Sequence, residues 1–327
     1  MIRHSKLRAL VGFAAFWSAW ACAIEAPLAV ANLSPFSLLR ALPEQRTART
    51  VAGLQWELSG MMANHFILQS AAGEALHLDG QTDRLTVSMR YGFAPLWDVE
   101  LKAPWIHHSG GFTDNAIERW HKAFGLPNGD RGLYPQNQLR YELKEQGRVA
   151  ALERSTQGLG DVEVAVSREL FASLDAHVAA SIGVKSATGK TEDWLGSGTA
   201  DIFTLVRFSG RYPEEGSFFW HGQVGVTRAG ESSLLGETQR RNLWFAGLSL
   251  AWALTPQWSA LVQYDAHSGV SHSDLAPLEQ TAGMLSMALR WRPSERWSVD
   301  FGFSEDVAVE TAPDINFLLS FRFVPGA

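Results

Sequence analysis

Apolar and polar residues alternate along most of the chain with a period of two. The segment 284–303 contains two such runs on either side of Pro293-Ser294-Glu295, and their large side chains fall on one face. A period of two is typical of β-strands, whereas a helix places apolar residues three and four positions apart. The segment therefore predicts a β-hairpin with one hydrophobic and one polar face.

The same alternation predicts twelve strands. They lie within residues 52–58, 85–93, 97–105, 162–166, 174–184, 200–208, 218–226, 244–252, 258–264, 285–291, 297–303 and 315–323. Short turns are expected near residues 94–95, 172–173, 213–214, 255–256 and 293–294, and long polar loops near 70–82, 107–158, 187–197, 229–240, 268–280 and 306–312.

Strict alternation of short and long connections is typical of outer-membrane barrels, which have short periplasmic turns and long extracellular loops. We therefore predict an all-β fold, a closed antiparallel transmembrane β-barrel of about twelve strands. Both termini are expected in the periplasm, and one long extracellular loop is expected to contain a short helix.

The apolar face is expected to contact outer-membrane lipid. Indole rings favour the membrane interface, where both hydrocarbon and water are close. Five tryptophans lie beside the expected short turns on this face and predict an interfacial girdle: Trp97, Trp252, Trp258, Trp291 and Trp297.

The N-terminus predicts export from the cytoplasm. Arg3, Lys6 and Arg8 precede the apolar run 9–21, and Ala21-Cys22-Ala23 is a small-x-small cleavage pattern. This arrangement is typical of a secretory signal peptide. Lipidation of Cys22 is disfavoured, because the residues before it do not form a lipobox.

We accordingly predict a signal peptide at 1–23, a periplasmic segment at 24–48 and the barrel at 49–327. Cleavage would leave 25 basic and 34 acidic residues and no cysteine. No basic cluster indicates nucleic-acid binding, and no motif indicates a metal or another cofactor.

The polar face of the barrel is expected to line its lumen. Fourteen charged or histidine residues alternate with the apolar rows: Arg84, Arg90, Glu100, Lys102, Glu163, His177, Lys185, Asp201, Arg207, His221, Asp265, Arg290, Asp300 and Arg322. A dry core could not accommodate so many charges. A narrow passage for a small solute and a closed interior held by salt bridges both remain open interpretations.

The segment 109–132 predicts the loop helix. Ile117, Trp120 and Phe124 are spaced three and four apart and form one apolar face. This face could cap or plug the barrel mouth, although a loop helix without a gating role is an equal alternative. Residues 137–145 and 148–154 are expected to pair as strands.

His107, His108 and Ser109 are weak catalytic candidates. A histidine can act as base for a serine nucleophile if a carboxylate orients it, and Asp114 is close in sequence. Neighbouring residues on a strand point to opposite faces, so only one histidine can serve a given partner. A lipid hydrolase or protease at the extracellular rim is therefore the least favoured function.

Two resemblances complete the prediction. The alternating C-terminal residues 317–323, from Phe317 to Phe323, are similar to the terminal strand that barrel-assembly machinery recognises. The segments 27–43, 123–132 and 158–170 resemble the bacterial family called domain of unknown function 3187. That resemblance implies an outer-membrane barrel without an established activity. Passive transport of a small solute is the leading hypothesis, and a closed structural or surface-interaction barrel is the alternative.

Overall fold

The computed structural model describes residues 25–125, 131–212, 217–308, 311–313 and 315–325. The predicted signal peptide lies outside this range. The strands are β1 Leu54–Ala71, β2 Glu74–Ala94, β3 Trp97–Ser109, β4 Arg140–Glu145, β5 Arg148–Leu152, β6 Thr156–Leu159, β7 Glu163–Ala172, β8 Ala176–Lys185, β9 Asp201–Arg211, β10 Phe218–Arg228, β11 Asn242–Ala253, β12 Trp258–His267, β13 Ala282–Ser294, β14 Trp297–Asp306 and β15 Ile315–Phe323. The helices are α1 Asp114–Phe124 and α2 Ala276–Glu279, with 3₁₀ turns at Arg131–Leu133, Thr191–Asp193 and Gly236–Thr238.

Twelve of these strands form a closed antiparallel barrel. Strands β1 to β3 and β7 to β15 pair in chain order, β3 pairs with β7, and β15 pairs with β1 from Trp56↔Phe323 to Asn64↔Ile315. Closure satisfies the backbone groups of both edges, which hydrocarbon could not do. The predicted fold class and all twelve strands are confirmed.

Short connections lie at one end of the barrel and long connections at the other, with one exception. We call the barrel end with the β2–β3, β7–β8, β11–β12 and β13–β14 turns the short-turn end, and the opposite end the long-loop end. The long connection predicted at 70–82 is wrong, because β1 and β2 continue as one hairpin to the turn Ala72-Gly73. Both turn residues have positive φ, 48° and 88°, as tight hairpin turns of this type require.

Packing explains this extension. Leu76 and Leu78 are buried together with Ile67 in a hydrophobic cluster at the long-loop end. The predicted strand pair is also present, since β4 pairs with both β5 and the extended part of β2. Strand β6 pairs with the end of β3.

The outward face is hydrophobic along the barrel. On β13, Met287, Leu289 and Trp291 are exposed, whereas Ser286, Ala288 and Arg290 between them are buried. Such a surface is stable only in contact with lipid, so the protein belongs in the bacterial outer membrane. Neither helix in the described ranges is long and apolar enough to cross a membrane.

The tryptophans of the predicted girdle lie beside the short turns on this outward face. Trp258 stacks on Trp291 with a centroid separation of 6.3 Å. Trp297 packs against Phe323 at 4.4 Å, and Trp56 of β1 joins this pair edge-on. The ring of amphipathic side chains is continuous across the seam where β1 meets the last strand.

Candidate functional site

The barrel interior contains the polar row predicted from the sequence. All fourteen charged and histidine residues named above occupy inward positions on the strands and are buried or half-buried. Their surroundings are not a water-filled lumen, however, because residues 25–48 lie inside the barrel. We call these residues the lumen segment.

The lumen segment starts at the short-turn end. The Glu25 carboxylate accepts hydrogen bonds from Arg290 Nη1 at 2.9 Å and from the Ser259 hydroxyl at 2.9 Å, and it pairs with Arg292. The Leu28 backbone N–H donates to Gln263 Oε1 at 2.8 Å. These contacts lead the chain up the inner wall of β12 and β13.

The segment turns back near the long-loop end. Asn32 binds His267 Nε2 at 3.0 Å, and the residues after it form a tight turn at 35–40. Phe36 at this apex packs against Trp194 with a centroid separation of 5.1 Å. The apex therefore closes the lumen from inside.

A hydrophobic cluster, which we call the loop-end cluster, covers the apex from outside. It consists of Phe36, Leu39, Ile67, Leu76, Leu78, Leu139, Tyr141, Leu143, Leu152, Trp194, Leu234, Leu235, Val270, Leu275 and Leu278. Glu145 of the β4–β5 hairpin accepts a hydrogen bond from the Thr238 hydroxyl at 2.7 Å, which ties the hairpin to the loop between β10 and β11. Burial raises the pKa of the Glu145 carboxyl above its usual range.

The returning arm descends along the other side of the barrel. The Ala41 N–H donates to Asp201 Oδ2 at 2.9 Å, and Gln223 donates to the Pro43 carbonyl at 2.8 Å. Further down, the Ala48 N–H donates to the Ser209 hydroxyl at 2.8 Å. The chain then enters β1 at the short-turn end. The lumen segment is thus a re-entrant loop whose two ends lie at the same end of the barrel.

The prediction that residues 24–48 lie in the periplasm is therefore wrong for the described residues 25–48. The physical reason is charge complementarity between segment and wall. The Glu44 carboxylate contacts Arg84 Nη1 at 2.7 Å, Arg46 Nη2 at 3.0 Å and Lys102 Nζ at 3.3 Å. Arg46 Nε in turn binds Glu100 Oε1 at 2.9 Å.

Two further ion pairs lie along the inner wall. Arg290 forms a two-pronged pair with Asp300 at 2.6 and 2.7 Å. Lys185 Nζ binds Asp161 Oδ2 at 2.5 Å near the long-loop end. A cavity of about 20 Å³ lined by Arg46, Glu57 and neighbouring residues has room for about one water molecule. In the described part of the chain, the lumen segment and its ion pairs with the wall therefore fill the interior around this cavity.

Helix α1 lies within the segment 109–132, and its described contacts lie outside the lumen. Asp114 at its start contacts Asn64 Nδ2 at 2.9 Å and Arg131 Nη1 at 3.2 Å. Asn64 belongs to the outward row of β1, so the helix begins against the outside of the barrel wall. Ile117 is half-buried, and the side chains of Trp120 and Phe124 are outside the described residues. Their role as a cap or plug stays a prediction.

His107 and His108 point to opposite faces of β3. His108 is buried inside and binds the Thr82 hydroxyl through Nδ1 at 3.0 Å. His107 faces outward, where its Nδ1 lies 3.1 Å from Asp83 Oδ2. The carboxylate at His107 is therefore Asp83 of the neighbouring strand, and the expectation that Asp114 would serve it is wrong.

The fold and interior define a class of protein: a closed twelve-stranded outer-membrane β-barrel with an internal N-terminal segment. The chain belongs to the family described as protein of unknown function (DUF3187), whose profile matches residues 7–324. No curated protein matches the sequence.

One solved outer-membrane structure shows the same fold. The COG4313 outer membrane channel from Pseudomonas putida F1 aligns with 87% of this chain and 97% of its own, at 11% identity and a TM-score of 0.54. The NanC porin aligns with 83% and 100% at 8% identity and a TM-score of 0.48. At 11% identity, the similarity to the COG4313 channel extends to the fold alone.

Proposed function

We propose that this protein is an outer-membrane channel for a small solute and that the lumen segment closes it. The observation that carries the proposal is the path of the segment. It enters and leaves at the short-turn end and contributes no strand to the barrel wall. Its withdrawal would therefore leave every strand pairing of the barrel intact.

The wall left behind would suit a polar passage. A barrel of twelve strands is intermediate between eight, which side chains fill, and sixteen, which leave an open channel. Withdrawal of the segment removes Glu44 and Arg46 from the interior and exposes Arg84, Lys102 and Glu100. The structural relative from Pseudomonas putida F1 is described as an outer membrane channel, which supports this class of function.

The orientation is part of the proposal. We place the short-turn end in the periplasm, because short turns and the two ends of the chain lie on that side in barrels of this type. The lumen segment would then be withdrawn into the periplasm, and the loop-end cluster would face the exterior. The terminal strand Phe317–Phe323 remains the expected contact of the assembly machinery.

Conductance measurements in planar lipid bilayers test the proposal. A variant lacking residues 25–48 should conduct ions steadily, whereas the chain that retains them should conduct weakly or briefly. A variant that lacks residues 112–134 removes α1 and its flanks, and serves as the matched deletion because it leaves the lumen segment in place. If the variant lacking residues 25–48 folds as a barrel but conducts no ions, the proposed channel function is refuted.

A second candidate function is a closed structural or surface-interaction barrel. The dense ion pairing of the lumen segment with the wall favours it, since these contacts also hold a rigid interior together. The two candidates differ in one respect. A permanently closed barrel should lose stability on deletion of residues 25–48 without gaining conductance.

A further inference from the structure

An acid–histidine pair lies on the outside of the barrel, away from the lumen. Asp83 of β2 and His107 of β3 are directly opposite each other in the strand register and share the outward face. Their contact is 3.1 Å, from His107 Nδ1 to Asp83 Oδ2, and both side chains are about one-third exposed, 37% and 34%. The interior charges described above are not part of this pair.

Hydrogen bonds on this face orient Asp83 and His107 in the way that a catalytic base requires. Gln81 Nε2 donates to the other carboxylate oxygen, Asp83 Oδ1, at 2.7 Å, and this bond holds the carboxylate in place. A carboxylate that accepts the Nδ1 proton of an imidazole leaves the lone pair on Nε2. His107 is then oriented to accept a proton at Nε2.

A hydroxyl lies two positions further along the same strand face. Ser109 is opposite Gln81, so Ser109, His107, Asp83 and Gln81 occupy a two-by-two patch of the outward surface. A strand rises about 3.3 Å per residue, which puts Ser109 and His107 about 7 Å apart at Cα and within side-chain reach. Ser109 Oγ is positioned by the Gly111 N–H, which donates to it at 3.2 Å, and a hydroxyl can still donate its own proton.

An apolar groove runs from this patch down the lipid-facing wall. It has a volume of about 360 Å³ and lies among Met62, Leu85, Trp105, His107, Phe317 and Leu319. Gly60 also lines the groove, and a Cβ there would be 3.8 Å from the Leu319 carbonyl and 3.9 Å from Leu85 Cδ1, which is ordinary contact distance. The groove has the shape and chemistry for a lipid acyl chain, and Asp83 and His107 line it beside the apolar residues.

We propose that Ser109, His107 and Asp83 form a serine hydrolase site that cleaves acyl esters of membrane phospholipids from the lipid side of the wall. Ser109 Oγ bonds to the ester carbonyl carbon while its proton passes to His107 Nε2. The bond from that carbon to the glycerol oxygen breaks, and the glycerol oxygen takes the proton. Water then hydrolyses the acyl-serine and releases a fatty acid, which restores Ser109.

Asp83 acts as a positioning residue, and Gly60 sets access for the acyl chain. Substitutions at these two positions should therefore change different kinetic constants. Asp83→Asn should lower kcat and change its pH profile with little change in KM, because it disturbs the tautomer of His107. Gly60→Leu should raise KM for a phospholipid, because the larger side chain occupies the groove.

The test uses the purified full-length barrel in mixed micelles of dioleoylphosphatidylethanolamine, with fatty-acid release measured by mass spectrometry. Ser109→Ala and His107→Ala should each lower the rate at least about 100-fold. His272→Ala, an exposed histidine of the 268–281 loop, is the matched control and should match the wild-type rate. Heat-modifiable electrophoretic mobility confirms that each variant is folded.

Two further measurements make the result decisive. A fluorophosphonate should label Ser109 in the wild-type chain, and His107→Ala should slow this labelling. Hydrolysis of water-soluble p-nitrophenyl butyrate should survive Gly60→Leu, which separates the groove from the chemistry. If the folded wild-type protein releases no fatty acid beyond Ser109→Ala and Ser109 is not labelled, the site is not a hydrolase. Neither result bears on conductance through the lumen.

Discussion

At the scale of single residues, Glu44 connects the lumen segment to the barrel wall. Its carboxylate is buried among Arg46, Arg84 and Lys102, each within 3.3 Å. A buried charge is tolerated when opposite charges surround it, and the removal of one partner leaves the others unpaired at high cost. Two cations of the wall, Arg84 and Lys102, therefore pair with one acidic side chain of the segment.

Replacement of Glu44 by Gln should destabilise the folded barrel by about 3–5 kcal/mol, because it leaves buried cations without their counter-charge. It should also increase the frequency of conducting events, since it weakens the hold on the lumen segment. Urea unfolding in lipid vesicles and bilayer recordings measure these two effects.

The control for this change is Glu231→Gln. Glu231 pairs with Arg241 on the surface, with 75% and 41% of their side chains exposed. Exposed pairs contribute about 0–1 kcal/mol, so this variant should behave like the wild type. Equal unfolding midpoints for both variants would contradict the role assigned to Glu44.

At the scale of elements, each strand presents one face to lipid and the other to the interior. Leu289 of β13 and Phe301 of β14 are paired outward residues near the middle of their strands. Both are 40% exposed in the isolated chain, and lipid would cover them in the membrane. The hydrophobic surface of the barrel is thus set by alternate positions of each strand.

Leu289→Arg and Phe301→Arg should each impair barrel assembly, by about 2–4 kcal/mol if the site is near the bilayer midplane. Leu133→Arg is the control, because Leu133 is 81% exposed in the loop after α1. The measurement is the folded fraction after refolding into lipid vesicles. Normal assembly of both outward variants would mean that the facing of the strands is wrong.

The apex of the lumen segment, residues 35–40, is held by its own contact with Trp194. Phe36 is fully buried against Trp194, so Phe36→Ala should cost about 3–5 kcal/mol locally. The loss should appear as release of the segment, because the segment is not part of the barrel sheet. Trypsin cleavage after Arg40 and Arg46 should accelerate, whereas Phe112→Ala, a change at a 72% exposed residue, should leave the cleavage rate unchanged. Resistance of Phe36→Ala to trypsin would show that the apex does not hold the segment.

At the scale of the whole molecule, the barrel and the lumen segment are two parts, connected along the chain by residues 49–53. The barrel is stabilised by strand pairing that closes on itself, and the segment by side-chain contacts with the inner wall. Because these two sets of contacts are separate, we expect that the segment can be displaced while the barrel persists, as the proposed channel requires.

A cysteine at position 223 reports on this displacement. Gln223 is buried and donates to the Pro43 carbonyl of the lumen segment. In the full-length chain, Gln223→Cys should react slowly with a charged thiol reagent, and removal of residues 25–48 should accelerate the reaction by a factor of at least about 10. Mass spectrometry measures the modified fraction, with the chain lacking this cysteine as control. Equal rates in both forms would show that the segment does not shield the lumen.

A feature could be predicted from the sequence when the interactions behind it are local, and it could not when they join distant residues. The outward rows such as Leu285 to Trp291 and the inward rows such as Ser286 to Arg290 are visible because a strand repeats every two residues. The extension of the β1–β2 hairpin was not predicted. At Leu76 and Leu78 the alternation continues into the expected loop, because residues distant in sequence bury both side chains. The Asp83–His107 contact was missed for a similar reason, since 24 residues separate the pair.

The alternation of side chains determined by itself that this chain forms a closed twelve-stranded barrel with lipid outside and charges inside, because that pattern depends only on neighbours along each strand. Only the tertiary structure decided what fills the interior. The lumen segment lacks a repeating pattern of its own, and its position follows from Glu25, Glu44 and Arg46 meeting wall charges that are distant in sequence. Long-range charge pairing leaves no local signal, and for that reason the closed state of this barrel appears only in three dimensions.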